Sequence, residues 1–197
     1  GLEGACDPKE FYQEWLPGKS FVRETRKATV HGDLNLVNVL LSKNIESGSL
    51  ENLWIIDFAR LSEMPILTDF AKIENDLSFI VLPINNSDEF KRALKMQEIR
   101  LQSENLIDIN GLDQIAVTLQ EKLYVHLIKK LRSVALLTDD RGEAAMEDYR
   151  IALLRYNAHT LNFTEPNYAQ RTLALCGCGR LTGLIKEAWE KENGGNG

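Results

Sequence analysis

The sequence predicts a mainly α (α+β) fold, a helical bundle carrying one small antiparallel hairpin. Residues 37–41 and 53–57 are short apolar runs separated by a polar stretch that contains Gly48, and that is how a hairpin is written. From residue 68 onward, apolar residues recur at three- and four-residue spacing between capping and breaking residues, the period of helices packed on one core. A chain of 197 residues with 44% hydrophobic content can bury such a core as one domain, expected over residues 1–192, with 193–197 a disordered glycine-rich tail.

Taken in order, Asp7-Pro8-Lys9-Glu10 places a capping aspartate, a proline at the first helical position and a glutamate at the third. A helix is expected through Trp15, ended by Pro17-Gly18, with Phe11, Trp15 and Leu16 as its buried stripe. Residues 19–29 are mixed and basic, and Arg23, Arg26 and Lys27 read as solvated surface. The stretch Val30-His31-Gly32-Asp33-Leu34-Asn35-Leu36-Val37-Asn38 begins as a loop, where Gly32 permits an unusual backbone angle. Val37 to Leu41 and Leu53 to Asp57 then read as buried strands, paired so that Asn38 stands opposite Asp57.

Thr68 is expected to cap a helix running to about residue 82, with Phe70, Ile73, Leu77 and Ile80 on its core side and Glu74 and Asp76 exposed or bracing it. Ser87-Asp88-Glu89 starts the next, carrying Phe90, Leu94 and Ile99, and Asn110-Gly111 breaks the chain before a helix over 112–137. On that helix Ile115, Leu119, Leu123, His126 and Leu127 fall near one face, with Val134 and Leu137 further on, so His126 reads as a core or boundary histidine. Asp139-Asp140 begins a helix containing Met146, Tyr149, Leu153 and Tyr156. Thr164-Glu165-Pro166 begins the last, with Tyr168, Leu173, Leu181, Leu184, Ile185 and Trp189 inward. Glycines 177, 179 and 183 each weaken it by about 1 kcal/mol relative to alanine, which implies a close helix contact or a break.

Several functions are disfavoured. A net charge of −6 with no concentrated basic face argues against nucleic-acid binding, and Lys129-Lys130-Leu131-Arg132 reads as a solvated helix face. No apolar run approaches a bilayer span and no signal-peptide core is present, so the cytoplasm is the expected location and no membrane partner is expected. Three cysteines give no disulfide framework, and Cys176-Gly177-Cys178 lacks the second pair that a structural zinc would need.

The chemistry concentrates in Asp33, Asn38 and Asp57. An oxygen-rich pocket made by Asn38 and Asp57 suits Mg²⁺, which takes one or two protein oxygens and completes its shell with water and phosphates. Asp33, a few residues upstream, is left to accept a proton or orient a nucleophile. Phosphoryl transfer requires that division of labour, because its loose transition state needs positioning and charge neutralisation more than covalent help.

His31-Gly32-Asp33-Leu34-Asn35-Leu36-Val37-Asn38 with Ile56-Asp57-Phe58 resembles the catalytic loop and metal segment of the protein-kinase-like superfamily, in its aminoglycoside phosphotransferase and choline kinase branch, where the loop begins His-Gly-Asp. The resemblance implies a kinase-like C-terminal lobe with Asp33 as catalytic base, Asn38 and Asp57 as Mg²⁺ ligands, His31 as a structural member of the loop, and ATP or GTP as phosphoryl donor to a hydroxyl-bearing acceptor. Asp69, in Thr68-Asp69-Phe70-Ala71-Lys72-Ile73-Glu74, resembles the helix-start aspartate that braces the loop, although the helix dipole alone favours an acid there. A closer likeness is to the kinase-like "ternary complex associated" modules of bacterial multidomain proteins, in His-Gly-Asp-Leu-Asn, Ile-Asp-Phe-Ala-Arg and Asp-Phe-Ala-Lys-Ile-Glu. Against that family, the first helix reads either as the end of the helix preceding the catalytic loop or as a local piece packed elsewhere.

Two departures stand out. Ala59 replaces a common glycine, which matters little. The 30 residues before His31 cannot form the ATP-covering lobe, and no Gly-x-Gly-x-x-Gly or strand lysine occurs. One lobe of a longer protein is therefore expected, inactive by itself and partnered by other domains of a parent chain. The roughly ten residues between Asp57 and the next helix are short for a phosphorylation-controlled loop. The alternative is a catalytically inactive scaffold in a multidomain bacterial signalling or defence system.

Overall fold

The computed structural model describes residues 4–19 and 24–193. Helix α1 (Pro8–Glu10) starts where Asp7 accepts from the Lys9 amide at 2.8 Å, and a wider π turn (Phe11–Trp15) continues it. It packs on the last helix rather than leading into the loop at 31: Trp15 meets Trp189 edge-on at 5.6 Å, and the Cys6 amide donates to Gly179 O at 2.9 Å. Of the residues read as basic surface, Arg23 lies outside the described residues. Lys27 instead opens strand β1 (Lys27–Val30).

Two separate two-stranded antiparallel sheets form: β2 (Val39–Lys43) with β3 (Leu50–Ile55), and β1 with β4 (Ser62–Pro65). The first is the expected hairpin, closed by Asn44, whose side-chain oxygen accepts from the Glu46 and Ser47 amides. Its strands are not buried, however. Leu41, Leu53 and Trp54 are about half exposed, and every residue of β3 is open to solvent. The second sheet, with Lys27 opposite Pro65 and Val30 opposite Ser62, was not expected, because Lys-Ala-Thr-Val is too short to show alternation. It brings the start of the 31–38 loop against the turn at Phe58–Arg60.

Helix α2 (Thr68–Asp76), with a π turn (Leu77–Val81), keeps Phe70, Ile73 and Leu77 on the core but buries its polar residues as well. Thr68 is its first residue, not its cap, and its hydroxyl donates to Pro65 O at 2.6 Å. Lys72, Glu74, Asn75 and Asp76 are buried while Ile80 is half exposed, so Glu74 and Asp76 are interior groups. This is possible because each finds a partner, as buried polar groups must. Glu74 accepts from Arg100, twice from Arg132 and from the Tyr149 hydroxyl.

Helix α3 (Ser87–Gln102) is capped by Asn86, whose side chain accepts from the Asp88 and Glu89 amides. The expected helix over 112–137 divides into α4 (Leu112–Ile115) and α5 (Leu119–Thr138), because the Thr118–Glu121 capping box starts a new one. The buried face of α5 carries Glu121, Tyr124, Val125, Ile128, Arg132 and Ala135, leaving Leu119, Leu123, Val134, Leu137 and His126 exposed. Asp139 caps the end of α5, and α6 (Glu143–Thr160) starts later than expected, after Gly142 at φ 65°. Helix α7 (Tyr168–Asn193) includes Asn193, and residues 194–197 of the expected tail lie outside the described residues. Its start is set by a reciprocal pair, Gln170 N to Asn167 Oδ1 and Asn167 N to Gln170 Oε1, which leaves Tyr168 exposed rather than in the core.

Helices α6 and α7 pack along one another, with α2 against α6 and α3 against α7. Met146, Tyr149, Leu153 and Leu181 belong to one apolar cluster and Phe79, Met96, Ile128 and Leu173 to a second. The three glycines mark close contact, not a break. A Cβ on Gly183 would lie 1.8 Å from Gly4 O, and one on Gly179 3.2 Å from Cys6 O. All three cysteines are free thiols, and burial pushes Cys178 up to about 12. Gly183→Ala is expected to lift the N-terminal segment, because backbone cannot yield to a contact that short. Faster amide exchange at Cys6 than in wild type, with the rest of α7 unchanged, is the expected readout.

Candidate functional site

Strand β1 delivers the chain to a loop over residues 31–38 that α2 holds by its backbone. Asp69, in the first turn of α2, accepts from His31 N at 2.8 Å on one oxygen and from Gly32 N at 3.0 Å on the other. Asp76, two turns further along, accepts from Leu36 N at 3.1 Å, and its second oxygen takes the Lys72 ammonium at 2.6 Å. A carboxylate on two backbone amides is a strong, charge-assisted clamp. Asp69 thus ties two backbone amides of the loop to α2, and Asp76 with Lys72 adds a second grip.

Gly32 sits at φ 78°, and a Cβ there would be 2.6 Å from Arg60 O, so the turn after β3 comes this close only to a glycine. The Tyr156 hydroxyl reaches across from α6 to donate to Gly32 O at 3.2 Å. Burial, together with the nearby Asp69 and Asp33 carboxylates, pushes the Tyr156 phenol up to about 12 against the opposing Arg155 and Arg60, so it keeps the proton it donates.

Within the loop, Asp33 O accepts from Asn35 N at 2.8 Å and from Asn38 Nδ2 at 3.1 Å. With its amide nitrogen committed, buried Asn38 presents Oδ1 as its open end. The pairing differs from expectation by one residue. Val39 pairs with Ile55, so Asn38 faces Ile56, whose amide donates to Asn38 O at 3.0 Å, and Asp57 follows. His31 joins the same point: its Nε2 donates to Ile56 O at 2.8 Å, which fixes the tautomer and leaves buried Nδ1 without a partner among the described residues. Phe58 packs on that imidazole at 5.0 Å.

Asp57 itself has φ 62° and ψ 62°, the one non-glycine residue at positive φ among the described residues. Its side chain is exposed and no described residue engages it. The Asp33 carboxylate is a quarter exposed and lies 3.7 Å from Arg60 Nε. His31, Asp33, Asn38 and Asp69 are thus brought together directly, and Asp57 through its neighbour Ile56.

Sequence reasoning missed Asp76, Lys72 and Tyr156. The seven-residue interval between Asp69 and Asp76 was a usable signal, since it puts two carboxylates on one helix face. Nothing local to Tyr156 marks it.

Among the described residues, no three His, Cys, Asp or Glu side chains gather to hold a metal ion unaided, and no helix is long and apolar enough to cross a membrane. No curated protein and no solved structure matches the chain. The sequence pattern of one family, Ternary complex associated domain 9, matches residues 4–162, about four-fifths of the length and the whole of the loop, the hairpin and α2. The chain belongs to the Ternary complex associated domain 9 family.

Proposed function

We propose that this domain is a kinase-like phosphotransferase unit of a longer protein, which moves the γ-phosphoryl group of ATP or GTP to a hydroxyl-bearing acceptor. The observation that carries this reading is the strained backbone of Asp57. A left-handed aspartate costs about 1–3 kcal/mol and persists only where its surroundings over-determine it, and such residues cluster at functional sites. Here the strain falls on the residue that the motif marks as a metal ligand, next to a loop fixed by Asp69, Asp76 and Tyr156.

The donor set fits Mg²⁺. The Asp57 carboxylate and the Asn38 amide oxygen would be the residues to hold the ion, hard oxygen donors of the kind it prefers. When bound, the ion neutralises charge on those phosphates. Asn38 holds the Asp33 backbone, and the Asp33 carboxylate orients the acceptor hydroxyl and takes its proton. The Arg60 pairing screens that carboxylate until an acceptor arrives.

The scaffold reading retains one specific support. The β2–β3 hairpin exposes Leu40, Leu41, Leu50, Leu53 and Trp54, a surface of the kind that another domain of a parent chain covers. Calorimetric titration with nucleotide separates the two. Wild type is expected to bind ATP only with Mg²⁺, Asp57→Asn to abolish that binding and Asp33→Asn to keep most of it. No binding at millimolar Mg²⁺-ATP gives the scaffold reading precedence for this chain.

A further inference from the structure

A cleft of about 300 Å³ opens beside the loop, lined by Arg60, Arg155, Tyr156, Ala158, His159 and Asn162. No carboxylate lines it, although the chain as a whole carries a net charge of −6. Arg155 is exposed, stands over the Tyr156 ring at 5.7 Å, and has no acidic partner among the described residues. Two of its lining residues also touch the loop. Tyr156 lines it and donates to Gly32 O, one residue before Asp33, while Arg60 reaches to 3.7 Å from the Asp33 carboxylate.

We infer that this cleft binds the acceptor, and that the acceptor is a compact anion bearing a hydroxyl: a hydroxy acid or a short polyol phosphate, held by Arg60 and Arg155 with its hydroxyl toward Asp33. This rests on the phosphotransferase reading and names its substrate class. Guanidinium groups suit carboxylate and phosphate oxygens because their planar N–H donors match them in pairs. A volume of about 300 Å³ sits at the lower end of small-molecule sites, which excludes acceptors of several rings. The Arg60–Asp33 pair does not oppose this. Such partly exposed pairs contribute little, so an incoming anion draws Arg60 away at low cost and leaves Asp33 facing the hydroxyl.

Binding of three three- to five-carbon probes to the Mg²⁺-free chain tests the proposal without requiring any transfer: glycerol 3-phosphate, glycerol and choline. Saturable binding of glycerol 3-phosphate alone is expected. Arg155→Gln should weaken it roughly tenfold, as loss of a charge-assisted contact does, while Lys130→Gln, which removes a charge elsewhere, leaves it unchanged. Equal binding of choline or glycerol, or an unchanged affinity in Arg155→Gln, overturns the proposal. Displacement by Mg²⁺-free ATP also overturns it, by assigning the cleft to nucleotide phosphates. The phosphotransferase reading is tested by a different result: absence of Mg²⁺-ATP binding gives the scaffold reading precedence for this chain.

Discussion

Glu74→Gln is expected to lower stability by about 3–5 kcal/mol, the cost of leaving buried guanidinium charge uncompensated. Glu74 and Arg132 are fully buried and Arg100 nearly so, with Arg100 Nη1 at 2.5 Å and Arg132 at 2.7 and 2.8 Å from the carboxylate, and Tyr149 completing the set at 2.9 Å. Burial alone would raise the Glu74 pKa, but the Arg132 and Arg100 charges and the Arg132 and Tyr149 hydrogen bonds outweigh it and hold it at about 2, against 4.5 when unfolded. A folded-state pKa below the unfolded one adds stability that is fully present above pH 4.5 and is lost as pH falls toward 2, roughly 3 kcal/mol in all. Urea unfolding at pH 7 and pH 3 checks both halves. The variant should lose less stability than wild type between the two, and an equal loss would show that Glu74 does not carry the acid dependence.

Gly32→Ala is expected to cost about 2–3 kcal/mol and to weaken Mg²⁺-ATP binding with it. Alanine at φ 78° carries about 1–2 kcal/mol of left-handed strain. Its Cβ also arrives 2.6 Å from Arg60 O, a backbone atom tied into the turn before β4, so either the loop or that turn must shift. A shift loosens the Tyr156 bond to Gly32 O and the Asp69 clamp together. Gly142→Ala is the control. That glycine has φ 65° and ψ −119° with nothing within 4 Å of its Cβ, so an alanine there carries a backbone strain of its own without a collision and should leave nucleotide binding unchanged. Unchanged nucleotide binding in Gly32→Ala would remove the steric part of the explanation.

What the sequence made legible was local. The hairpin follows from its apolar runs and the turn between them, the α1 start from Asp7-Pro8, and the loop from glycine and polar residues whose neighbours in sequence are also their hydrogen-bond partners. What it hid was long-range pairing of polar groups. Glu74 meets Arg100, Arg132 and Tyr149 across 26, 58 and 75 residues, so a helix whose acids read as exposed or bracing it has them in the core. The same cause misplaced the buried face of α5: Arg132 belongs inside only because Glu74 does, and leucines 119, 123 and 137 were exposed in consequence. Burial of the hairpin was expected because apolar strands usually meet a second layer, and no layer covers β3 among the described residues. Tyr156 could not be tied to Gly32 from 124 residues away.

The two-carboxylate grip of α2 also governs which changes of length this chain can absorb. Asp69 and Asp76 stand seven residues apart, about 10 Å along the helix axis, and hold the loop at residues 31, 32 and 36. A one-residue deletion inside that helical interval swings Asp76 about 100° around the axis and away from Leu36. A one-residue insertion between Gly32 and Leu36 presents the wrong amide to it. Helix and loop are therefore interlocked gauges, and neither can gain or lose a residue alone. A change of length is expected to be tolerated instead in the 44–49 turn at the far end of the hairpin.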